Sequence, residues 1–445
     1  MRFQVSACLL LASVLAACAS GAGNSLPGAQ TPTATGAGNH LSSSGYTVTD
    51  LATLGGASAA GSSINNHNWV TGLSSLTSGS FIHAALWENG SSPIDLGTLG
   101  GPNSGVEWPV KNDHALISGI SETAAKQRLG EIWSCAEGFF PQPPSGHICL
   151  GFAWQQNKIT KLPTLGGNNG FAAGANNQGE IVGWAETRKH DRTCTSPQVL
   201  QFEAVVYQPW GHDKIRELPS YHNDKDGAAT EINDRGQIVG ISGKCDQAEG
   251  RFTAHHAVLW EHNHVVNLGT LGGVAWNTPM AINQRGEIVG FSDLSGDESG
   301  NPNFHAFLWT RQHGMQDLGT LPGDAFSQAL GINDAGVIVG VSYGVSFSTS
   351  RAFIWQNGTM TDLNSLIPPS SQSFLLFAND INDRGVIAGG ACILVSGQCG
   401  SQAPAFMATP MQSAEPLQMR FASAVTPSRL PERLRAMIRA RALAL

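Results

Sequence analysis

The stretch AINQRGEIVGFS, residues 281–292, decides the fold of this chain. Nearly the same sequence recurs as EINDRGQIVGIS at 231–242 and as GINDAGVIVGVS at 331–342. The segments on either side of the Asn-to-Gly turn are short, apolar and rich in β-branched residues, as strands are. Asn followed by Gly three residues later is typical of a tight turn, so each copy predicts a β-hairpin.

The Asn of this phrase marks a repeat that runs through most of the chain. A Gly follows each Asn seven residues later, whereas the distance from one Asn to the next varies. The marks fall at Asn65, Asn112, Asn176, Asn233, Asn283, Asn333 and Asn382. We interpret the constant phrase as scaffold, in which the Asn side chain hydrogen-bonds its own turn.

Two further phrases recur between the Asn marks. HAFLW at 305–309 predicts a third strand, and DLGTL at 317–321 predicts a fourth. Four antiparallel strands in about 50 residues match the length and strand count of one propeller blade. Each phrase occurs seven times, counting degraded copies, but one copy of the fourth strand stands at the front of the chain, as DLATL at 50–54.

The displaced copy predicts how the ring closes. The last blade has three C-terminal strands and takes its fourth from residues 46–54. We therefore predict an all-β fold over residues 46–416: a seven-bladed β-propeller of four-stranded antiparallel blades, closed by the N-terminal strand. A linear solenoid is the alternative, but a solenoid would not need one blade divided between the two ends of the chain.

The repeat unit HAFLW…DLGTLGG…A-IN-x-x-G-x-IVG-x-S resembles the HAF-repeat family of extracellular bacterial proteins. The resemblance covers nearly all of the predicted propeller, and departures concentrate in blades two and three, where Leu150 and Glu203 replace the His. It implies a secreted repeat protein and no established activity. Because the same position also accepts Arg351, we interpret the repeated His as scaffold rather than as a catalytic or metal-binding residue.

The N-terminal end of the chain predicts export and lipid anchoring. The apolar run CLLLASVLA at 8–16 is too short to span a bilayer and predicts the core of a signal peptide over 1–17. It ends in LAAC, which resembles the lipobox of bacterial lipoproteins and implies a lipid on Cys18. Ala19 after the Cys implies the outer membrane, if the source is Gram-negative. Residues 18–45 are rich in Gly, Ala, Ser, Thr and Pro and predict a disordered linker.

The charge of the chain is divided between an acidic body and a basic tail. The formal net charge is −8, although residues 420–445 carry six Arg and one Glu. An acidic body argues against nucleic acid as the partner. The tail, 417–445, predicts a basic amphipathic helix, which can lie on a membrane, dock on the propeller or stay weakly ordered in solvent; we favour the last. Its predicted apolar face consists of Leu430, Leu434, Met437, Ile438 and Leu445.

Function is predicted on one face of the ring. With the strands of a blade labelled A to D in chain order, the A–B and C–D connections are tight turns on one face. The B–C and D–A loops lie on the opposite face, which we call the B–C face. Variable loops on a rigid scaffold carry function. The long B–C loops are predicted at 121–148, 186–202, 243–254, 292–304 and 390–402.

Six cysteines follow Cys18, and all six fall in the predicted B–C loops. An even number of cysteines in an exported chain predicts disulfides. Among the possible pairings we favour two within single loops and one between the loops of adjacent blades. These pairs are Cys135–Cys149, Cys392–Cys399 and Cys194–Cys245. A zinc site is the alternative, but no C-x-x-C spacing supports it.

Aromatic residues provide the candidates for binding. Three lie in the largest B–C insertion, 122–150, where they can either contact a partner or fold back over a neighbouring blade. Three others lie in D–A loops near the axial mouth, where they can either line a pocket or pack under the loops. The two sets are Trp133, Phe139 and Phe140, and Trp108, Trp276 and Phe326.

The sequence predicts no catalytic residue, metal site or cofactor. Its acidic loops at 224–227 and 295–301 do not match an EF-hand. We therefore expect a monomeric, lipid-anchored binding scaffold whose B–C face holds an unknown protein or glycan ligand. Two alternatives stay open, because propellers host all three functions. One is a lyase or hydrolase acting on an envelope or extracellular polysaccharide, and the other is a purely structural envelope protein.

Overall fold

The computed structural model describes the chain from residue 45 to residue 444 with internal gaps. The described residues are 45–131, 140–141, 143–194, 196–210, 214–245, 254–262, 264–296, 303–411 and 430–444. The predictions for the signal peptide, for the lipid on Cys18 and for the linker up to residue 44 lie outside them. Those for Trp133, Cys135 and Phe139 lie outside them as well.

The protein is a seven-bladed β-propeller of antiparallel blades, as predicted. The first strand along the chain, β1 (Tyr46–Leu51), belongs to the last blade, so blade 1 begins at β2. Blade 1 consists of β2 (Gly55–Ile64), β3 (Trp69–Leu76), β4 (Ile82–Glu88) and β5 (Ile94–Asp95). Blade 2 consists of β6 (Gly100–Gly105), β7 (Ile117–Lys126), β8 (His147–Gln155) and β9 (Lys158–Lys161). Blade 3 consists of β10 (Gly166–Ala175), β11 (Ile181–His190), β12 (Leu200–Tyr207) and β13 (Ile215–Glu217).

Blades 4 to 6 repeat the same order of four strands. Blade 4 consists of β14 (Asp226–Ile232), β15 (Ile238–Gly243), β16 (His256–Glu261) and β17 (His264–Asn267). Blade 5 consists of β18 (Gly272–Ile282), β19 (Ile288–Leu294), β20 (Phe304–Thr310) and β21 (Gly314–Gly319). Blade 6 consists of β22 (Phe326–Ile332), β23 (Ile338–Tyr343), β24 (Ser350–Gln356) and β25 (Thr359–Asp362). Short 3₁₀ turns lie at Val345–Phe347, between β23 and β24, and at Leu363–Leu366, after β25.

Blade 7 joins the two ends of the propeller. Its strands run in the order β26 (Ser373–Ile381), β27 (Ile387–Val395), β29 (Ala405–Pro410) and β1, and β28 (Gln398–Cys399) pairs with the end of β27. The register of the closing pair runs from Tyr46 opposite Pro410 to Leu51 opposite Ala405. The predicted closure by the N-terminal strand is therefore confirmed, although the strand ends at Leu51 rather than at residue 54.

The Gly seven residues after each repeated Asn is required by close backbone contact. In β23, a Cβ on Gly340 would lie 2.0 Å from the carbonyl oxygen of Gln328 on the neighbouring β22. The register of this pair shifts one step further on, between Ala329 and Gly331, as at a β-bulge. The equivalent Cβ on Gly240 would lie 2.0 Å from the Ala228 oxygen. No other residue fits at this position, which explains why the seven-residue spacing never varies.

The apolar residues of the repeat fill the spaces between blades. Between blades 5 and 6, for example, Val289 and Ala306 lie near Ile332 and Ile338, and all four are fully or nearly fully buried. The Trp of the third strand packs in the same way. Trp87 is fully buried, and its Nε1 donates to the carbonyl oxygen of Ala52, 2.7 Å away. That bond ties blade 1 to the segment that follows the closing strand.

The repeated His is a scaffold residue. His83 and His305 each contact an Asp of the adjacent fourth strand, with Nδ1 to Oδ2 distances of 2.9 Å to Asp95 and 3.0 Å to Asp317. Arg351 replaces the His in blade 6 and contacts Asp362 of the equivalent strand, at 3.2 Å. The His-to-Arg exchange is tolerated because either side chain can donate a hydrogen bond to the Asp of the fourth strand.

Two predicted disulfides are confirmed. Cys194 is bonded to Cys245 across blades 3 and 4, and Cys392 is bonded to Cys399 within the B–C loop of blade 7. Cys149 is also disulfide-bonded. Its predicted partner, Cys135, lies outside the described residues.

Removing the disulfide between blades should cost more stability than removing the one within a loop. The Cys194–Cys245 bond spans 51 residues and the Cys392–Cys399 bond spans 7. The loop-entropy estimate is about 4 kcal/mol for the first and about 2 kcal/mol for the second. We expect denaturant titrations of the two double Cys→Ala variants to show this order in the free energy of unfolding. An equal loss, or the reverse order, would contradict the bracing role of the bond between blades.

The C-terminal tail forms one helix, α1 (Glu432–Ala444), which docks on the propeller. Leu434, Ile438 and Ala442 are buried in the apolar cluster that surrounds the axis, together with Leu430 before the helix. The favoured expectation of a weakly ordered tail is therefore not what the structure shows. Met437 is 43% exposed, so the buried stripe is narrower than the predicted face. Among the described residues, no helix is long and apolar enough to cross a membrane.

Candidate functional site

The B–C face carries most of the exposed large hydrophobic side chains. The described residues include eight such side chains, and six of them lie in B–C loops, at the start of a first strand or on α1. These six are Phe81, Leu129, Val274, Val345, Val395 and Met437. Trp210, at the C–D connection of blade 3, is 62% exposed on the opposite face. The B–C face therefore offers apolar contacts from five blades and the helix.

The predicted aromatic candidates that the structure describes lie under the loops rather than on the surface. Phe140, Trp108 and Trp276 are buried, and Phe326 is half-buried beside them. Trp276 makes edge contacts with two Phe rings, and Trp108 makes edge contacts with Phe171 and with another Trp ring. Of the two possibilities for the D–A aromatics, the structure shows packing. The wide centre of a seven-bladed ring needs large side chains to fill it on this side.

The last turn of α1 lies against residues of blades 2 and 7. The Arg441 guanidinium lies 4.8 Å from the ring centre of Phe377, and it donates to Asn379 Oδ1 at 3.2 Å. It also lies 3.8 Å from the Glu107 carboxylate. Burial raises the pKa of Glu107 to about 8, although Arg441 acts to lower it. The helix thus places its last turn among polar groups of the channel wall.

Buried carboxyls make the stability of the protein depend on pH. Burial and the neighbouring Glu131 raise the pKa of Glu186 to about 7, and burial together with Glu217 raises that of Glu203 to about 7. With Glu107, these groups hold protons in the folded state that the unfolded chain has released above about pH 4.5. The folded state therefore binds more protons between about pH 5 and pH 8, and stability falls as pH rises through that window.

We expect the melting temperature to be higher at pH 5.5 than at pH 8. Each fully titrating group contributes at most about 1.4 kcal/mol per pH unit to the slope. Thermal melts across this range provide the measurement. Glu203→Gln removes one titrating group, so its melting temperature should depend less steeply on pH than that of the parent protein. A flat or rising profile in the parent protein would show that these carboxyls are ionised in the folded state.

The A–B face carries a closed ring of seven Asn side chains. Each Asn accepts at Oδ1 from two N–H groups of its own turn, as predicted; for Asn283 the donors are Arg285 and Glu287, both at 3.0 Å. Each Nδ2 donates to the main-chain oxygen of the Asn in the next blade, over 2.6 to 3.3 Å. The ring closes where Asn382 donates to Asn65 across the junction of blades 7 and 1.

A second ring is formed by the residue that follows each Asn. Its backbone N–H donates to the side-chain oxygen of the equivalent residue in the next blade, over 2.7 to 3.1 Å. The members are Asn66, Asp113, Asn177, Asp234, Gln284, Asp334 and Asp383. Only a side chain with a terminal oxygen at this reach completes the ring. All seven members of this ring are accordingly Asn, Asp or Gln.

The two rings surround an open polar cavity of about 150 Å³ on the axis, which we call the axial pocket. All seven members of the second ring line its rim, and four of them are carboxylates. Ile side chains and Lys111 line the deeper part. In the part of the chain that the structure describes, no group of three or more His, Cys, Asp or Glu residues is placed to hold a metal ion.

An ion pair lies at the base of the axial pocket. The Lys111 ammonium pairs with the Asp380 carboxylate and donates to the Ile381 oxygen at 3.0 Å. Asp380 in turn accepts from the backbone N–H of Ile64, 2.9 Å away. Burial alone would lower the pKa of Lys111, but the Asp380 carboxylate raises it above its ordinary value. The pair was missed by sequence reasoning, although Lys111 stands where the other six repeats have Ile or Ala.

Comparisons with known proteins do not assign the chain to a family. No protein-family model matches it, and no curated protein matches it. Solved structures that it resembles include the β-propeller domain of the Trilobed protease from Pyrococcus furiosus, at 8% identity and a TM-score of 0.45. That match covers 85% of this chain and 99% of the other. A fungal alcohol oxidase of the AA5 family in complex with copper matches at 12% identity and a TM-score of 0.43, over 86% of this chain and 79% of the other.

A gluconolactonase, XC5397 from Xanthomonas campestris, matches at 11% identity and a TM-score of 0.31. It covers 58% of this chain and 78% of its own length. At these identities and TM-scores, the three likenesses carry no conclusion about function.

Proposed function

We propose that this protein is an exported, lipid-anchored binding scaffold that holds a macromolecular partner of the cell envelope on its B–C face. The observation that carries the proposal is the concentration of exposed apolar side chains on that face, six of the eight among the described residues. Apolar side chains on variable loops make contacts at low ordering cost when the scaffold is rigid. Here the loops of blades 3, 4 and 7 are joined or closed by disulfides.

The anchoring part of the proposal rests on the lipobox-like LAAC sequence and on the resemblance to HAF-repeat proteins. Cys18→Ser in the full-length chain, expressed in a bacterial host, provides the test. We expect the parent protein to take up labelled palmitate and to fractionate with membranes, and the variant to do neither. Uptake of label by the Cys18→Ser variant would place the lipid on another residue. No uptake by the parent protein would contradict lipid anchoring.

The binding part is tested by paired surface variants. Val345 and Val395 are 67% and 63% exposed on the B–C face, and Trp210 is 62% exposed on the opposite face. We expect the Val345→Ser/Val395→Ser variant to lose at least one envelope component that the parent protein retains in a pull-down. The Trp210→Ser variant should retain it. Equal capture by all three proteins would contradict a binding role for this face, provided that their melting temperatures agree.

A further inference from the structure

Three ionisable residues break the repeat at the axis. The two residues before each ring Asn are small or apolar in most copies, because they face the channel or the neighbouring blade. Lys111, Glu231 and Asp380 are the exceptions, and they come from blades 2, 4 and 7. The scaffold does not require charge at these positions, since the other blades form the same hydrogen bonds without it.

Space for the two carboxylates is provided by glycines in the preceding blades. A Cβ on Gly174 would lie 2.5 Å from Glu231 Oε1, and a Cβ on Gly331 would lie 2.9 Å from Asp380 Oδ1. The Glu231 carboxyl therefore reaches across to blade 3, where a larger residue than Gly174 would collide with it. At Gly331 the nearest atom is the Asp380 Cα, 2.7 Å away, so the backbone of blade 7 requires this glycine as well.

Near the pocket-lining Lys111, the described part of the protein leaves hydrogen-bonding capacity unused. Glu231 is fully buried, and its Oε2 has no hydrogen-bond partner among the described residues, while Oε1 accepts a 3.2 Å bond from the N–H of Ile232. Burial raises the pKa of Glu231 well above its ordinary value, although the nearby, pocket-lining Lys111 acts to lower it. A buried polar atom without a partner is costly, so a site for a ligand or an ordered water is indicated next to it.

The rim of the pocket is rich in acceptors and poor in free donors. Each Asn of the first ring already donates its Nδ2 group to a main-chain oxygen of the next blade. In the second ring, the Nδ2 groups of Asn66 and Asn177 already donate to carboxylates of the same ring. The Lys111 ammonium already donates to the Asp380 carboxylate and to the main-chain oxygen of Ile381. The rim carries four carboxylates, and among the described residues that line the pocket the only cation is already paired. The pocket thus complements a ligand that is positively charged and supplies several N–H donors.

We infer that the axial pocket on the A–B face binds a small organic cation through an ammonium group. The cavity of about 150 Å³ has room for about five waters, or for a ligand of similar size. A bare metal ion fits less well, because the described carboxylates are not grouped closely enough to coordinate one. The site lies on the face opposite the B–C loops, so the inference stands or fails independently of the proposed partner surface.

The experiment compares two probes of equal length on the parent protein by titration calorimetry and thermal shift. 1,4-Diaminobutane carries two ammonium groups, and 1,4-butanediol carries two hydroxyls instead. We expect the diamine to bind and to raise the melting temperature, with an affinity that weakens as NaCl is added, and the diol to do neither. Calcium chloride is titrated separately. No binding of the diamine at millimolar concentration, equal binding of the diol, or stabilisation by calcium alone would overturn the inference.

A matched pair of variants locates the site. Asp334→Asn/Asp383→Asn removes two rim charges and keeps the ring oxygens, because Asn already occupies the equivalent position at Asn66 and Asn177. We expect diamine binding to weaken about tenfold or more. Glu217→Gln/Glu432→Gln removes two exposed charges away from the pocket and should leave binding unchanged. Equal weakening in both variants would mean that the diamine responds to net charge and not to the pocket.

Discussion

A chain that begins at residue 55 should not fold into a stable ring, whereas a chain that begins at residue 45 should unfold cooperatively, like the parent protein. The difference is β1, whose six residues pair along the whole length of β29. Its loss exposes the edge of β29 and removes Tyr46 and Leu51, which are 3% and 1% exposed, from the packing of the last blade. It also removes the Ala52 oxygen to which Trp87 donates.

Circular dichroism and thermal melting of the two truncated chains provide the measurement. The chain from residue 45 is the matched control, because it also lacks residues 1–44 and keeps β1. A synthetic peptide of residues 45–54 added to the shorter chain should restore part of the cooperative transition by pairing with the free edge. An unchanged melting temperature in the chain from residue 55 would show that closure by β1 contributes little.

Lys111→Ile should destabilise the protein by about 3 kcal/mol, although Ile occupies this position in five of the other six repeats. The substitution leaves the Asp380 carboxylate, which is fully buried, without its counter-ion. We give the lower end of the usual range because the Lys111 side chain is 18% exposed and part of its charge is screened by water. Denaturant titration measures the change in the free energy of unfolding.

A double variant separates the cost of an unpaired buried charge from the cost of altered packing at position 111. In Lys111→Ile/Asp380→Asn, both charges are gone, and the new amide side chain still offers an oxygen to the Ile64 N–H. We expect its stability to return to within about 1 kcal/mol of the parent protein, because replacing a whole buried pair is often close to neutral. If the double variant is as unstable as the single one, the cost arises from packing at position 111 and not from an unpaired buried charge.

The fold could be predicted from the sequence because each blade is encoded locally. The Asn-to-Gly turn, the β-branched strands and the constant spacing to a second Gly each have a physical cause within one hairpin. Closure could also be predicted, because the DLATL copy at 50–54 lacks a blade of its own. Blade 2 departs from this local pattern. Its first strand ends at Gly105, short of Asn112, because Pro109 between them has no N–H to donate to a neighbouring strand.

The site could be predicted much less well. The side-chain oxygen of each ring Asn accepts from N–H groups of its own turn, which is a local interaction. Its side-chain nitrogen donates to the next blade, to a residue 47 or more positions away in the sequence. Only the first half is visible in a single hairpin. The sequence could not decide whether the aromatic candidates line a pocket or pack under the loops, for a similar reason: nothing local distinguishes Trp276, which is fully buried, from Trp210, which is exposed.

A usable signal for the axial pocket was present in the departures from the repeat. Lys111, Glu231 and Asp380 each replace a small or apolar residue at positions that the scaffold fills without charge. Each looks like ordinary variation by itself. Their convergence follows only once the ring is closed and blades 2, 4 and 7 face one axis.

The most direct test of circular closure is a cross-link between the two ends of the propeller. Thr47 lies opposite Thr409 in the pairing of β1 with β29, and directly opposed Cα atoms in antiparallel strands are about 4.5 to 5.5 Å apart, within disulfide range. Mass spectrometry of Thr47→Cys/Thr409→Cys under mild oxidation should find the two peptides joined within a single chain. The control, Thr47→Cys/Thr359→Cys, places the second Cys on β25 of blade 6 and should give no such product. Joined peptides in the control alone, or only between separate chains, would contradict the closed seven-bladed ring.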